Sequence, residues 1–143
     1  MHFVSGGACN GKSAWVKQQS FWREDALWVS AYRKDQLPQD FKPLTVIEGL
    51  EEYIRLDSLE HGEDAVRIWS RRMEEWISRE QERRCRLVLI GTDITKGIVP
   101  VQAEDRLWRD TAGWVYQEIV RKAAEADLIW YGLATPLKRG AGN

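Results

Sequence analysis

A chain of 143 residues with a formal net charge of −1 has the length of one domain with one sizeable core and lacks the basic excess of a nucleic-acid binder. No run approaches the roughly 20 apolar residues of a membrane span, and no basic stretch leads into an apolar one at the N-terminus, so neither a span nor a signal peptide is expected. Two cysteines, Cys9 and Cys85, form neither a metal pattern nor a disulfide framework, and the expected compartment is the cytoplasm.

In chain order, His2-Phe3-Val4 reads as a first strand. Gly6-Gly7-Ala8-Cys9-Asn10-Gly11-Lys12-Ser13 then spells G-x-x-x-x-G-K-S, a phosphate-binding P-loop, and Ser13 to Gln19 reads as the helix it opens. The residue types suit the chemistry. Gly6 and Gly11 allow backbone angles that a Cβ forbids, so successive N–H groups turn inward toward a phosphate at a helix N-terminus. Lys12 can reach the β- and γ-phosphates, and the Ser13 hydroxyl can ligate Mg²⁺. Cys9 sits where a helix end can lower a thiol pKa, but it is read as a tolerated loop residue.

Ala26 to Tyr32 reads as a second strand, and Arg33 to Pro43, with Pro38, as a loop. Leu44 to Ile47 is a third strand ending at Glu48-Gly49, and Leu50 to Leu56 a short helix. From Glu63 to Arg84 the apolar Val66, Trp69, Met73, Trp76 and Ile77 recur at steps of three and four, an amphipathic helix. Its charged side, Arg71-Arg72 included, is read as a solvated face, with a phosphate or partner contact as the sharper alternative. Arg86 to Gly91 is a nearly continuous apolar run, as buried parallel strands are. A loop from Thr92 to Val101 follows, then a long helix from Ala103 to Ala126 with Leu107, Thr111, Val115, Ile119 and Ala123 on one stripe. Leu128 to Gly132 is a fifth strand. The tail from Leu133 contains Pro136, and residues 139–143 are expected to fray. The eight tryptophans are assigned to core or interface, with no cofactor role.

Strands alternating with helices predict an α/β fold: a mostly parallel, P-loop NTPase-type sheet flanked by helices, one domain over 1–143, with phosphate bound beyond the carboxyl ends of the strands. Such sites hold Mg²⁺ with a second, acidic group at a neighbouring strand end. Glu48 is the leading candidate and Asp93 the runner-up; Asp35 and Asp57 are less well placed. The alternative for Glu48 is an acid facing the dipole of the helix that follows. A Glu is longer than an Asp, and would shift the metal or insert a water.

The second half carries a resemblance. Gly91-Thr92-Asp93-Ile94-Thr95-Lys96-Gly97-Ile98-Val99-Pro100 is similar to the N-E-V-G-x-G-I-V-P loop of the adenosylcobinamide kinase/adenosylcobinamide-phosphate guanylyltransferase family. Arg106 to Gln117, with Arg109-Asp110 and Gly113, resembles that family's R-x-F-R-D-x-x-G-x-x-N-Q helix, and Ala126-Asp127 through Gly132, Pro136 and Lys138 resembles its closing segment. Ser5-Gly6-Gly7-Ala8 with Gly11-Lys12-Ser13 matches the family's form of the P-loop. The resemblance covers residues 2–32 and 88–138. It implies a cytoplasmic enzyme of cobalamin biosynthesis that uses ATP or GTP with Mg²⁺, a small-molecule substrate (adenosylcobinamide), Arg106 and Arg109 as phosphate contacts or braces of the active-site loop, and an oligomer of like chains, in the family a ring-shaped trimer. A surface pair with Asp105 or Asp110 is the other reading of the two arginines.

The departures bear on activity. The family's guanylyl transfer runs through a histidine in an R-I-x-x-H-x-x-R-R segment. Here that segment is deleted, or aligns with Arg67-Ile68-Trp69-Ser70-Arg71-Arg72, which has no histidine. His2 reads as a strand-end residue and His61 as solvated. No neighbouring side chain replaces a histidine nucleophile, so the guanylyltransferase half is not expected. Tyr116 stands for the family's Asn, and Thr92-Asp93 for its Asn-Glu. The expected function is a P-loop kinase with Lys12 and Glu48 catalytic and Ser13 and Glu48 on the metal. The alternatives are a nucleotide-binding member without catalysis, serving as sensor or subunit, and a kinase for another small alcohol.

Overall fold

The computed structural model describes residues 1–8, 11–94 and 102–140. Six strands, β1 (His2–Gly6), β2 (Leu27–Ser30), β3 (Leu44–Glu48), β4 (Arg86–Thr92), β5 (Glu125–Trp130) and β6 (Leu133–Lys138), form one sheet in the order β2-β3-β4-β1-β5-β6. The first five run parallel, and β6 closes the far edge antiparallel to β5. β4 shows why its sequence is apolar throughout. Leu87 and Leu89 enter the cluster on one face, while Val88 and Ile90 enter the cluster on the other, as in a parallel strand covered on both sides.

The two faces are covered unequally. α1 (Lys12–Lys17) and the segment after it, with Trp15, Phe21 and Trp22, pack on Val4, Val46, Val88 and Ile129. α2 (Leu50–His61), α3 (Ala65–Arg83) and α4 (Ala103–Lys122) cover the other face over Phe3, Ile47, Leu87 and Leu89. The predicted stripe of α3 points inward at Trp69, Met73 and Trp76, and the Trp69 and Trp76 rings meet edge to face at 5.9 Å.

Several boundaries differ from the sequence reading. α2 runs past Leu56 to His61 because no breaker precedes Gly62 (φ 58°); the exposed Leu56 and Leu59 blur its apolar period. β2 stops at Ser30, and Ala31–Arg33 forms a 3₁₀ turn whose Tyr32 N–H donates to Ser30 Oγ at 3.2 Å. α1 ends at Lys17 rather than Gln19. α4 stops at Lys122 because Ala123 is extended, so Ala126 belongs to β5. The tail is the largest correction: Leu133–Lys138 is a sheet strand. Pro136 obscures it in the sequence, but an edge strand accommodates a missing N–H. Beyond it Arg139 donates to Asp127 at 3.1 Å.

Candidate functional site

Parallel pairing sends the carboxyl ends of β1 to β5 to one side of the sheet, and the Gly6–Ser13 loop leaves β1 there. Gly6 pairs in register with Thr92 of β4 and Ile129 of β5. A Cβ on Gly6 would stand 2.3 Å from the Ile129 carbonyl oxygen, so the close strand packing admits only glycine. Gly11, in the left-handed region at φ 79°, starts α1. Lys12 is buried, and its Nζ donates to the Gly7 carbonyl at 2.8 Å, turning the lysine back over the loop. Gly7 is half-buried and Ala8 exposed. Cys9 and Asn10 lie outside the described residues.

Ser13 Oγ donates to Glu48 Oε2 at 2.7 Å, joining residues 35 apart in sequence. β3 delivers Glu48 at its last position, and the side chain turns to α1 rather than standing free before α2. A hydroxyl and a carboxylate at this separation are hard oxygen donors of the kind Mg²⁺ takes, and the Ser13 oxygen keeps its acceptor lone pairs. The donor set fits the ion.

One residue at this edge has no signal in the sequence. Glu51, which reads there as an ordinary first-turn helix acid, is buried. Its Oε1 accepts the Thr92 N–H at 2.9 Å, and its Oε2 accepts the Tyr32 hydroxyl. The Thr92 carbonyl in turn accepts the Tyr116 hydroxyl at 2.8 Å, and the Glu51 carbonyl accepts Trp108 Nε1 at 2.9 Å. One residue at the end of β4, Thr92, is thus gripped through both its N–H and its carbonyl, and the next N–H, that of Asp93, donates to the Gly6 carbonyl at 2.9 Å. Burial, then Glu51, pushes the Tyr32 phenol well above its ordinary range; burial first does the same for Tyr116. Both remain donors at neutral pH.

Between α4 and the β5–β6 side of the sheet lies a cleft of about 880 Å³. Phe3, Trp114, Leu128 and Leu137 make it apolar, and Asp93 and Arg109 bring charge to it. A family model described as cobinamide kinase / cobinamide phosphate guanyltransferase matches residues 26–137. The chain belongs to that family. The match runs from the start of β2 to the end of β6. No curated protein sequence matches the chain.

The cobinamide kinase/guanyltransferase family joins two activities in cobalamin biosynthesis, and the histidines of this member bear on the second. His2 is buried at the start of β1, its Nε2 2.6 Å from Asp127 Oδ2. The strand rise puts it roughly 13 Å from the Gly6 end. His61 closes α2 beside Glu60, about 18 Å of helix from the strand end where α2 begins. Among the described residues, neither meets the Gly6–Ser13 loop. Arg109 pairs with Asp110 at 3.0 Å, the surface-pair reading, while also lining the cleft. Arg106 is exposed in the first turn of α4. Asp35 is held by Arg33 and the Ser30 N–H. Asp57 takes Arg72 at 2.9 Å, which also accounts for Arg72 structurally. Asp57, Glu60 and His61 form the acidic group among the described residues that could gather a cation, far from this edge. The loop from Thr95 to Val101 lies outside the described residues.

Proposed function

We propose that the chain is a nucleoside-triphosphate-dependent kinase acting on the hydroxyl of adenosylcobinamide, with ATP or GTP as donor and without guanylyl transfer through histidine. The observation that carries the reading is the Ser13–Glu48 contact of 2.7 Å beside Lys12: loop hydroxyl, strand-end acid and lysine converge where a P-loop enzyme needs them.

In this reading the backbone N–H groups of the loop that Gly6 opens and Gly11 closes bind the phosphates. Lys12 leaves the Gly7 carbonyl and carries the charge of the migrating phosphoryl group. Ser13 and Glu48 would hold Mg²⁺, which neutralises charge on the β- and γ-phosphates when bound. The acceptor lies in the cleft under α4. Its hydroxyl oxygen bonds to the γ-phosphorus as the bond to the bridging oxygen breaks, the nucleoside diphosphate leaves, and the hydroxyl proton passes to Asp93 at the cleft wall. Arg106 and Arg109 steady phosphate or loop from the start of α4. Positioning and charge do most of the work in such transfers, which favours a kinase surviving the loss of a histidine nucleophile. Assembly with like chains is part of the reading, and light scattering measures it.

The test is an incubation with adenosylcobinamide, Mg²⁺ and either ATP or GTP, with products weighed by mass spectrometry and Lys12→Ala alongside. A phosphate ester absent from the Lys12→Ala reaction, with no GDP-linked product, supports the proposal. A GDP-linked product refutes the histidine argument. Nucleotide binding with no product replaces the kinase by a non-catalytic member or by a kinase for another small alcohol.

A further inference from the structure

The β5–β6 connection is a two-residue turn, since Trp130 pairs with Leu133 across it. Tyr131 and Gly132 both have positive φ, 52° and 76°, as the tightest hairpin turns require. Glycine, asparagine and aspartate suit the first of these positions; a tyrosine is strained there. The ring is also 78% exposed, so burial does not repay the strain. The half-exposed Trp130 stands edge-on to it, ring centroids 5.5 Å apart at 88°, and limits its orientation.

The turn's place in the fold supplies the second half of the argument. Gly6 pairs with Ile129, so the turn starts two residues beyond the level at which the Gly6–Ser13 loop leaves β1. It approaches that loop closely: a Cβ on Gly11 would lie 3.6 Å from Gly132 Cα. Glu48 and Asp93 flank β1 on the β3–β4 side, and the aromatic turn flanks it on the other. A triphosphate in the loop with its terminal phosphate toward Glu48 runs its nucleoside toward β5.

We infer that Tyr131, braced by Trp130, is a stacking platform for the base of the nucleoside triphosphate whose phosphates the Gly6–Ser13 loop takes. This rests on the nucleotide-binding reading above. The recognised chemistry is the flat π-face common to adenine and guanine, so the platform serves ATP and GTP alike.

The test measures binding of ATP, GTP and inorganic tripolyphosphate by calorimetry, in the presence of Mg²⁺. The variants are Tyr131→Asn, which suits the turn and removes the ring, Tyr131→Phe, which keeps it, and Trp130→Ala. Stacking on one aromatic ring corresponds to roughly a 5- to 150-fold effect on affinity. The expected result is a loss of that order for both nucleotides in Tyr131→Asn, a smaller loss in Trp130→Ala, wild-type affinity in Tyr131→Phe, and unchanged tripolyphosphate binding throughout. Equal losses for tripolyphosphate, unchanged nucleotide affinity in Tyr131→Asn, or a changed oligomeric state as the only effect overturns the platform while leaving the loop reading intact. An unmodified chain that binds neither nucleotide nor tripolyphosphate overturns both.

Discussion

At the scale of single residues the candidate site depends on short, specific contacts. Glu48→Gln keeps an acceptor for the Ser13 hydroxyl but removes the charge. The expected outcome is an unchanged fold and a fall in apparent Mg²⁺ affinity of at least about 10-fold, the low end of what disturbing a metal's partners costs, read from the Mg²⁺ dependence of nucleotide turnover. Gly6→Ala acts by a different route. Its Cβ would be driven to 2.3 Å from the Ile129 carbonyl, between two hydrogen-bonded strands with no flexible side chain to yield. Overpacking of this kind costs about 1–3 kcal/mol. A lowered urea midpoint together with lost nucleotide binding is expected; a midpoint equal to wild type would mean that the strands separate freely there.

At the scale of elements, the end of β4 is held by α2 and α4 through one residue, Thr92. Glu51→Ala leaves the part-buried Thr92 N–H without its acceptor, a loss of about 1 kcal/mol. Tyr116→Phe removes the donor to the Thr92 carbonyl and loses about 1 kcal/mol. Since both grip the same residue, Thr92, their effects on the urea midpoint should couple in a double-mutant cycle; simple additivity would show that the grips are independent. α2 has a second tether, the Tyr53 hydroxyl donating to the Asp35 carbonyl at 2.7 Å. Burial pushes the Tyr53 phenol up to about 12 from its ordinary 10. A folded-state value above the unfolded one means the tether contributes fully below pH 10 and is lost as pH rises from 10 toward 12. Stability measured between pH 9 and 11.5 should therefore fall. In Tyr53→Phe the fall should be shallower, though not absent, because Tyr32 and Tyr116 are raised in the same sense.

At the scale of the molecule, the three-helix face carries the larger core, and Trp69 is its largest fully buried side chain. Trp69→Ala should cost about 3–5 kcal/mol, measured by urea unfolding. That is enough to leave the chain marginal, since whole domains hold only about 5–15 kcal/mol. The far edge depends on β6. It pairs with β5 along its length, and Arg139 beyond it reaches the buried Asp127. Ending the chain at Gly132 should expose the β5 edge and strip Asp127 of that partner. Aggregation on a sizing column is expected, whereas a monodisperse, folded product would show β6 to be dispensable.

Local pattern by itself determined the strand–loop–helix opening, the parallel α/β class, the apolar run of β4 and the inward stripe of α3, because each is written in neighbouring residues or in a fixed period. It also singled out Glu48, a strand-end acid that the structure brings to Ser13. Tertiary structure alone decided the rest. Glu51 looks like any helix-start acid until β4 and Tyr32 close on it. Leu133–Lys138 looks like a tail until β5 offers an edge that accepts a proline. Tyr131 reads as part of the fifth strand until that strand ends at Trp130 and the turn stands beside Gly11. In each case the partner is distant in sequence, and no local signal encodes a hydrogen bond or a close approach that exists only once the sheet has formed.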